Sequence, residues 1–468
     1  MQYKVYPMLH CSIRDTDGAL PGAIWPGNLV GRAALPSARP PSAGSVRGVC
    51  VAGHLRSIRR RRAHRRDRTS EDHVRRVAFV APRYGDAIVG GAETAVAEAA
   101  RGLAGRGHEV EILTTCAKSH VSWANEYEPG VEHDRGVTIR RFPTFAPRSR
   151  VAAAELERRV QRGAALDAAD ELAWVNGRFR VPDLYFYLDA HASRYDAIVF
   201  APYLFWSTIY GTRVAPERSI VMPCLHDEPY AWLGVVREML ASVAGVWFLT
   251  EPEHQLGHRV APSMPPFHAV VGSAVDVPGG YDPAGFRERH GLTRPFVLYA
   301  GRRESGKGWP DLLRAFGAAL VGGSLPFDLV TIGSGAAEVP PGLSDRVVDL
   351  GFQPVEELSN AFAAAAALVQ PSTNESFSRS IMEAWLAGTP VIANASGEVV
   401  SWQCERSGGG LTYASELEFA HCLRFLAEAP KAAESLAERG REYVLANYTW
   451  PTVLDAMEAF LDRFCAAR

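Results

Sequence analysis

The sequence predicts an α/β protein with two doubly wound parallel-sheet domains that face each other across a cleft. First, 468 residues are too many for one compact core, whereas two domains of ordinary size accommodate them. Second, β-branched segments alternate with helical ones from residue 76 onward, which is typical of parallel sheets covered by helices on both faces. Third, a turn-rich stretch at 272–290 divides this alternation into two series. We therefore expect a ligand site in the cleft, at the carboxyl ends of the strands.

The first series opens with a complete strand–helix–strand unit. RVAFVAP (76–82) is a β-branched strand, and GGAETAVAEAARGLAGRGHEV (90–110) carries Ala, Val and Leu at helical spacing before the strand VEILTT (110–115). The later strands are predicted at 195–201, 218–226 and 244–250 in the first series, and at 295–301, 327–333, 346–351, 366–372 and 389–394 in the second.

These patterns predict a first domain at 76–275, a second at 276–449 and a last helix at 450–468, preceded by a basic extension at 1–75. Residues 1–76 hold 15 of the 50 Lys and Arg residues but 5 of the 52 Asp and Glu residues, a charge near +10. With its Pro, Gly, Ala and Ser content, this composition predicts disorder. An arm for anionic lipid or nucleic acid is an alternative that only the charge supports. We expect a dispensable extension, no nucleic-acid partner, and unchanged activity after deletion of 1–75.

The seven cysteines are scattered, with no C-x-x-C and no Cys/His cluster. This usage argues against a disulfide framework and a structural zinc site, and it is typical of a reducing cytoplasm. No apolar run reaches the roughly 18 residues of a membrane-spanning helix. We expect no metal-ligand spacing and no metal site.

The loop YAGRRESGKGWPDLLRAF (299–316) places two cations between a strand and a helix. Arg302 and Lys307 flank its polar centre, and Lys307 is one of four lysines in the chain. A guanidinium fork with an ammonium group holds a diphosphate well and stabilises it as a leaving group. A competing dinucleotide fingerprint at 333–338 is incomplete: Glu338 stands where glycine is needed, and two prolines follow where the phosphate-binding helix should run.

The stretch NESFSRSIMEAWLAGTPVIA (374–393) places two acids in apolar surroundings. Glu375 precedes a predicted helix start at 376–378, and Glu383 lies on that helix. A helix N-terminus directs free N–H groups into the cleft, where they attract anions. Carboxylates repel phosphates and accept hydrogen bonds from diols, so these acids are predicted sugar and ribose ligands.

Taken together, these motifs resemble glycosyltransferase family 4, the retaining enzymes of GT-B fold. The resemblance rests on the E-x7-E pair, on GRRESGKG as the donor loop, on VVGSAVDVP (270–278), on GGAE (90–93), and on 395–411 with Glu398. It covers the chain from about residue 76 to the end. The sequence departs from the family pattern at Ala274, Ser376 and Ser378, where glycine is usual.

The resemblance implies an acceptor-side first domain and a second domain that binds a UDP- or GDP-linked sugar, without another cofactor. Glu375 would bond the sugar hydroxyls, Arg302 and Lys307 the diphosphate, and His226 would lie near the sugar. These four are the predicted catalytic residues. The predicted donor-binding residues are Glu383 at the ribose, the backbone at Phe377 and Ser378, Gly351 and Phe352 at the base, and Gly90 and Gly91 where the backbone approaches the donor or acceptor.

The predicted function is transfer of a sugar from a nucleotide-diphosphate-sugar to an acceptor hydroxyl with retained configuration. A sugar-nucleotide epimerase of the same fold, or a sugar-nucleotide-binding protein without catalysis, is the alternative. The sequence identifies neither the acceptor, which could be a glycan, glycolipid or small molecule, nor the oligomeric state. By analogy with the family, the last helix returns to the first domain, and peripheral contact with the inner face of the membrane stays open for an otherwise cytoplasmic protein.

Overall fold

The computed structural model describes residues 74–86, 88, 90–147, 149–321 and 325–468. The predicted extension therefore lies outside the described residues except at its last two positions. Within them the chain forms fourteen strands and fifteen α-helices, organised around two sheets. This architecture confirms the predicted fold class.

The first sheet has eight strands in the order β3-β4-β2-β1-β5-β6-β7-β8, all parallel except for the β3–β4 hairpin. Its strands are β1 (Arg76–Val80), β2 (Glu109–Thr115), β3 (Gly130–Asp134), β4 (Val137–Phe142), β5 (Ala197–Phe200), β6 (Ser219–Val221), β7 (Gly245–Phe248) and β8 (Phe267–Val270). Its helices are α1 (Gly91–Gly105), α2 (Arg150–Gln161), α3 (Ala168–Asn176), α4 (Pro182–His191), α5 (Trp206–Gly211), α6 (Gly234–Ser242) and α7 (Glu251–Val260).

The second sheet has six parallel strands in the order β11-β10-β9-β12-β13-β14. Its strands are β9 (Phe296–Ala300), β10 (Asp328–Ile332), β11 (Val347–Asp349), β12 (Ala367–Gln370), β13 (Val391–Asn394) and β14 (Gly410–Tyr413). The remaining helices are α8 (Pro283–Arg289), α9 (Trp309–Val321), α10 (Val355–Ala364), α11 (Arg379–Leu386), α12 (Glu398–Ser407), α13 (Glu416–Glu428), α14 (Pro430–Asn447) and α15 (Trp450–Ala466). Short 3-10 turns lie at Ala192–Arg194, Pro216–Arg218, Pro229–Trp232, Ser305–Lys307 and Pro341–Leu343.

In each sheet the strand that comes first in the chain, β1 or β9, lies in the interior, and later strands are added on both sides of it. β1 pairs with β2 on one side and β5 on the other, and β9 pairs with β10 and β12. A crevice opens at the carboxyl end of a sheet where the chain winds away in two directions. The loops after β1, β9 and β12 are therefore the ones placed to hold a ligand.

The carboxyl ends of the two sheets meet. Thr250, directly after β7, donates its hydroxyl hydrogen to the carbonyl of Ser376 after β12 at 3.0 Å. Arg259 of α7 lies 3.1 Å from Glu398, the first residue of α12. The loops that follow the strands of both sheets therefore face one another.

The last helix, α15, packs against the first sheet although it follows the second one in the chain. The Phe460 ring lies 6.2 Å from the ring of Trp247 in β7, and the Phe464 ring lies 6.0 Å from that of Phe267 in β8. All four side chains are buried or half-buried and belong to one apolar core that reaches both sheets. Burial of α15 thus ties the end of the chain to the first sheet.

The chain passes between the sheets twice, and the two passages touch. Val275, on the way to the second sheet, donates its N–H to the carbonyl of Tyr448 at 2.9 Å. The Trp450 indole N–H, on the way back, donates to Asp276 at 2.6 Å. The connections therefore run side by side.

In the part of the chain that is described, no helix combines the length and the apolar character needed to cross a bilayer. The five cysteines in this part are all free thiols, four of them buried.

Candidate active site

The loop after β9 holds two neighbouring arginines that do different things. The Arg303 side chain is buried, forms an ion pair with Asp349, and donates to the carbonyls of Gly333 and Gly335 at 2.7 and 2.9 Å. The Arg302 side chain is 51% exposed, and among the described residues its ion-pair partner is Glu304, at 3.0 Å. Arg303 therefore fastens this loop to the one after β10, while Arg302 presents its guanidinium to the cleft.

Lys307 and Glu375 form the central contact of the site. Lys307 Nζ donates to Glu375 Oε1 at 2.8 Å, with 25% and 14% of the two side chains exposed. The two loops approach closely because Gly308 follows Lys307: its φ is +74°, and a Cβ there would lie 2.5 Å from the carbonyl oxygen of Pro371. Only glycine fits at this crossing. Folding thus unites two residues that are 68 positions apart.

The segment before α11 supplies unpaired backbone donors. Among the described residues, the N–H groups of Ser376, Phe377 and Ser378 form no hydrogen bond. The Ser378 hydroxyl points the other way, since it accepts a hydrogen bond from the Gln370 amide at 2.8 Å. A row of free N–H groups beside Lys307 makes this edge of the cleft suited to an anion.

Glu383, one turn into α11, belongs to a group of three acids around one arginine. Arg379 donates to Glu98 of α1 at 2.5 Å and to the carbonyl of Ala274 at 3.1 Å, and lies 3.6 Å from Glu383. Burial raises the pKa of Glu98 to about 7, although Arg379 opposes the shift. Burial also raises the pKa of Glu383, and Asp276 adds to it. About a third of the Glu383 side chain remains accessible, so it can receive a ligand from the cleft.

Gly351 and Phe352 form the far end of the second sheet's edge. Gly351 has a φ of +67°, and its carbonyl accepts the N–H of Gly333 at 2.8 Å. The Phe352 ring is 65% exposed, although a phenyl ring gains free energy when it is covered. Among the described residues, no hydrogen bond or ion pair joins this pair to Lys307 or Glu375, so we treat them as a separate part of the site.

On the first sheet, Gly90 precedes α1 and Gly91 begins it. A Cβ on Gly90 would lie 2.3 Å from Glu93, whereas the space around Gly91 is open to at least 4 Å. Glu93 forms a buried ion pair with Arg83, which also donates to the carbonyl of Lys118. A donor or acceptor molecule could therefore approach the backbone at Gly91 without a steric clash.

His120, on the loop after β2, lies close to arginines of both sheets. Burial lowers the pKa of His120, and the guanidinium groups of Arg83 and Arg302, which belong to opposite sheets, lower it further. The sequence analysis missed Arg83 and His120. Their position three residues after β1 and five residues after β2 was a usable signal, because both loops follow adjacent strands at the sheet's carboxyl edge.

His226 lies on the loop after β6 and is paired within the first sheet. Its Nδ1 is 3.5 Å from Glu228, which also accepts the Tyr203 hydroxyl at 2.8 Å. Although burial opposes the shift, the hydrogen bond and charge of His226 lower the pKa of Glu228. A cavity of about 660 Å³ opens beside this pair, lined by Glu228, Trp232 and Arg237 among others. In the described part of the chain, the cavity is lined by the neighbours Asp227 and Glu228 rather than by His226 itself, and no hydrogen bond or ion pair joins His226 to Glu375.

Two doubly wound sheets that meet at their carboxyl ends, joined side by side and closed by a returning helix, form the GT-B architecture that is typical of glycosyltransferases. The cationic loop after β9 and the acids around α11 occupy the edge where such a fold binds its ligand.

Comparison with known proteins gives the same class. The family model for glycosyl transferases group 1 matches residues 294–428. A D-inositol 3-phosphate glycosyltransferase from Frankia alni is 30% identical over 341 residues, 68% of this chain and 80% of that protein. A 2-deoxystreptamine glucosyltransferase from Streptomyces kanamyceticus is 35% identical over 117 residues, 23% of this chain and 30% of that protein.

Solved structures share the fold. Sucrose-phosphate synthase from Thermosynechococcus elongatus superposes with a TM-score of 0.64 at 20% identity, over 84% of this chain and all of that one. Anabaena HepE, solved with UDP-glucose, superposes with a TM-score of 0.62 at 15% identity, over 83% of this chain and all of that one. The chain belongs to the group 1 glycosyltransferases. This confirms the predicted resemblance at that level.

Proposed function

We propose that this glycosyltransferase takes its sugar from a UDP- or GDP-linked donor and transfers it with retained configuration to an acceptor hydroxyl. The observation that carries the proposal is the Lys307–Glu375 pair beside the free N–H groups of 376–378. It combines a cation and backbone donors for a diphosphate with a carboxylate for sugar hydroxyls, all in one crevice.

The donor would lie along the carboxyl edge of the second sheet. A lysine ammonium group has three hydrogens, so Lys307 can keep Glu375 and still donate to a phosphate oxygen. Arg302, exposed at the same loop, would provide a second cation, Glu383 would accept from the ribose hydroxyls, and Phe352 would lie against the base. The UDP-glucose complex of a protein with the same fold supports this donor class, and its 15% identity leaves the nucleotide open.

The proposed reaction breaks the bond between the anomeric carbon and the diphosphate oxygen. Both electrons of that bond leave with the diphosphate, whose added charge is stabilised by Lys307, Arg302 and the amides of 376–378. The acceptor oxygen attacks the same face of the sugar and gives its proton to the departing phosphate oxygen. The chain then contributes positioning and electrostatic stabilisation rather than a covalent intermediate.

The acceptor would enter from the first sheet. We infer that it occupies the cavity next to the loop of His226, because Asp227, Glu228 and the Trp232 indole line that cavity and can bind a polar molecule. The names of the relatives supply the first compounds to try: D-inositol 3-phosphate and 2-deoxystreptamine.

We also infer a cytoplasmic location from the scattered, free cysteines.

A product analysis separates the alternatives. The chain is incubated with UDP- and GDP-sugars and each acceptor, and release of nucleotide diphosphate is followed together with the anomeric configuration of the product by NMR. A glycosylated acceptor with the donor's configuration supports the proposal. An inverted product contradicts the retaining part, an isomerised donor indicates an epimerase, and nucleotide binding without any product indicates a binding protein.

A further inference from the structure

Three histidines converge at the open edge of the first sheet. His254 and His258 lie one turn apart on α7, and His268 lies on β8, the edge strand. His254 Nε2 is 2.9 Å from His268 Nδ1 and 3.1 Å from His258 Nε2, and all three ligand atoms lie within 4.8 Å of one another. Within the described part of the chain, this is the one group of three such side chains.

The spacing matches what a small divalent cation requires. Zinc–nitrogen bonds of about 2.0–2.1 Å in tetrahedral geometry separate the ligand nitrogens by about 3.4 Å. The observed separations of 2.9 and 3.1 Å, with the third below 4.8 Å, need only small side-chain adjustments to reach that value. A helix pair four residues apart plus one strand residue also provides three ligands from two rigid elements.

The hydrogen-bonding capacity of the three rings also favours a cation between them. A neutral imidazole nitrogen either donates one hydrogen or accepts one, yet His254 Nε2 faces two ring nitrogens at once. One hydrogen cannot serve both contacts well, whereas a single cation satisfies all three lone pairs.

A carboxylate lies behind the central ring of the cluster. Glu251 Oε1 lies 3.6 Å from His254 Nδ1, a buried atom without a hydrogen-bond partner in the described structure. A carboxylate on that side favours the tautomer with its proton on Nδ1, which leaves Nε2 as a ligand.

We propose that His254, His258 and His268 bind one divalent transition-metal ion of the zinc type, with solvent completing the coordination. Three imidazoles select zinc and similar ions over magnesium, which prefers oxygen ligands. The ion would fasten α7 to β8. Since α7 also contacts the second sheet through Arg259 and Glu398, a fixed α7 would steady one wall of the cleft.

The test uses the full-length chain without an added histidine tag. The chain is stripped of metal with a chelator and titrated with Zn²⁺ by calorimetry, and its thermal unfolding is recorded with and without Zn²⁺. The exposed His258→Gln variant removes one ligand with little risk to folding. His421→Gln, an exposed histidine on α13, is the matched control.

The wild type and His421→Gln should bind one equivalent of Zn²⁺ and gain thermal stability from it. His258→Gln should bind at least tenfold more weakly and gain none, and Mg²⁺ should not replace Zn²⁺ in the wild type. Because the chain has 14 histidines and 7 cysteines, the variants, rather than the stoichiometry, assign the site. Absence of binding in the wild type, or equal binding by His258→Gln, would overturn the proposal. Neither outcome bears on glycosyl transfer.

Discussion

Replacing Lys307 by alanine tests the proposed donor site at its central contact. The ion pair between Lys307 Nζ and Glu375 Oε1 is 2.8 Å long and largely withdrawn from solvent, with 25% and 14% of the side chains exposed. A hydrogen bond from a charged donor to a phosphate oxygen contributes about 1.5–3 kcal/mol. Because about 1.4 kcal/mol corresponds to a factor of ten, binding of the nucleotide diphosphate should weaken about 10- to 100-fold.

Turnover by this variant should fall further than binding. Removal of one group that stabilises developing charge typically costs about 10²–10³ in kcat. The variant also leaves Glu375 unpaired beside the diphosphate, and the repulsion opposes the departure of the leaving group. We therefore expect kcat/KM to drop at least about 100-fold, with both its kcat and KM parts affected.

Calorimetry with UDP, GDP and ADP measures the first effect, and initial rates with the matching nucleotide sugar measure the second. Lys307→Arg should recover part of the binding, since it restores the charge. Lys431→Ala, an exposed lysine on α14, should behave as wild type. If Lys307→Ala binds the nucleotide and turns over at wild-type levels, the assignment of Lys307 to the diphosphate is wrong.

Three further changes probe the ribose contact, the packing of α11 and the acids around Arg379. Glu383→Ala should weaken nucleotide binding about 10- to 100-fold by calorimetry, because a charged acceptor for the ribose hydroxyls is lost. Gly440→Ala should lower the urea-derived free energy of unfolding by about 1–3 kcal/mol, because the new Cβ would lie 2.3 Å from the buried Trp385 ring. Burial raises the pKa of Glu98 from its ordinary 4.5 to about 7, so the folded state keeps a proton that the unfolded state loses between these values. In that window the wild-type free energy of unfolding should fall with rising pH by up to about 1.4 kcal/mol per unit more than that of Glu98→Gln.

Each of these experiments has a control in the same chain. Glu405→Ala, an exposed acid on α12, should leave nucleotide binding unchanged. Gly105→Ala, where no atom lies within 4 Å of a new Cβ, should not destabilise the protein. Wild-type binding by Glu383→Ala, unchanged stability of Gly440→Ala, or parallel pH profiles for Glu98→Gln and wild type would contradict the respective arguments.

Most of the sheet framework could be predicted because buried parallel strands are short β-branched runs. The strands β1, β2, β9 and β10 start and end within two residues of the predicted segments. The predicted strand at 218–226 is shorter, Ser219–Val221, because Pro223 has no N–H for the ladder. The β3–β4 hairpin was missed because its first strand is exposed and charged. Gly136 was the available signal, since the turn at Arg135–Gly136 has φ values of +47° and +82°.

The site was predictable as a set of residues but not as an arrangement. The sequence places a cation on one loop and a carboxylate on another, yet only the strand order β9-β12 makes Lys307 and Glu375 neighbours. Nor do residue types distinguish Arg302 from Arg303, of which one is exposed and the other buried. The roles of these residues stay predictions until donor binding is measured. The histidine cluster escaped because His268 comes from a different element, although the H-x-x-x-H pair on α7 was visible.

The two connections between the sheets lie side by side and are joined by the contacts Val275–Tyr448 and Asp276–Trp450, which has a mechanical consequence. Two neighbouring connections form a hinge. They allow the two sheets to rotate relative to each other about an axis through both connections, and they resist twisting and sliding. Opening of the cleft should therefore separate Arg302 and His120, which lie on facing loops, more than Val275 and Tyr448, which a hydrogen bond holds together. A single proteolytic cut at either passage should leave the two halves joined by the other and by the burial of α15.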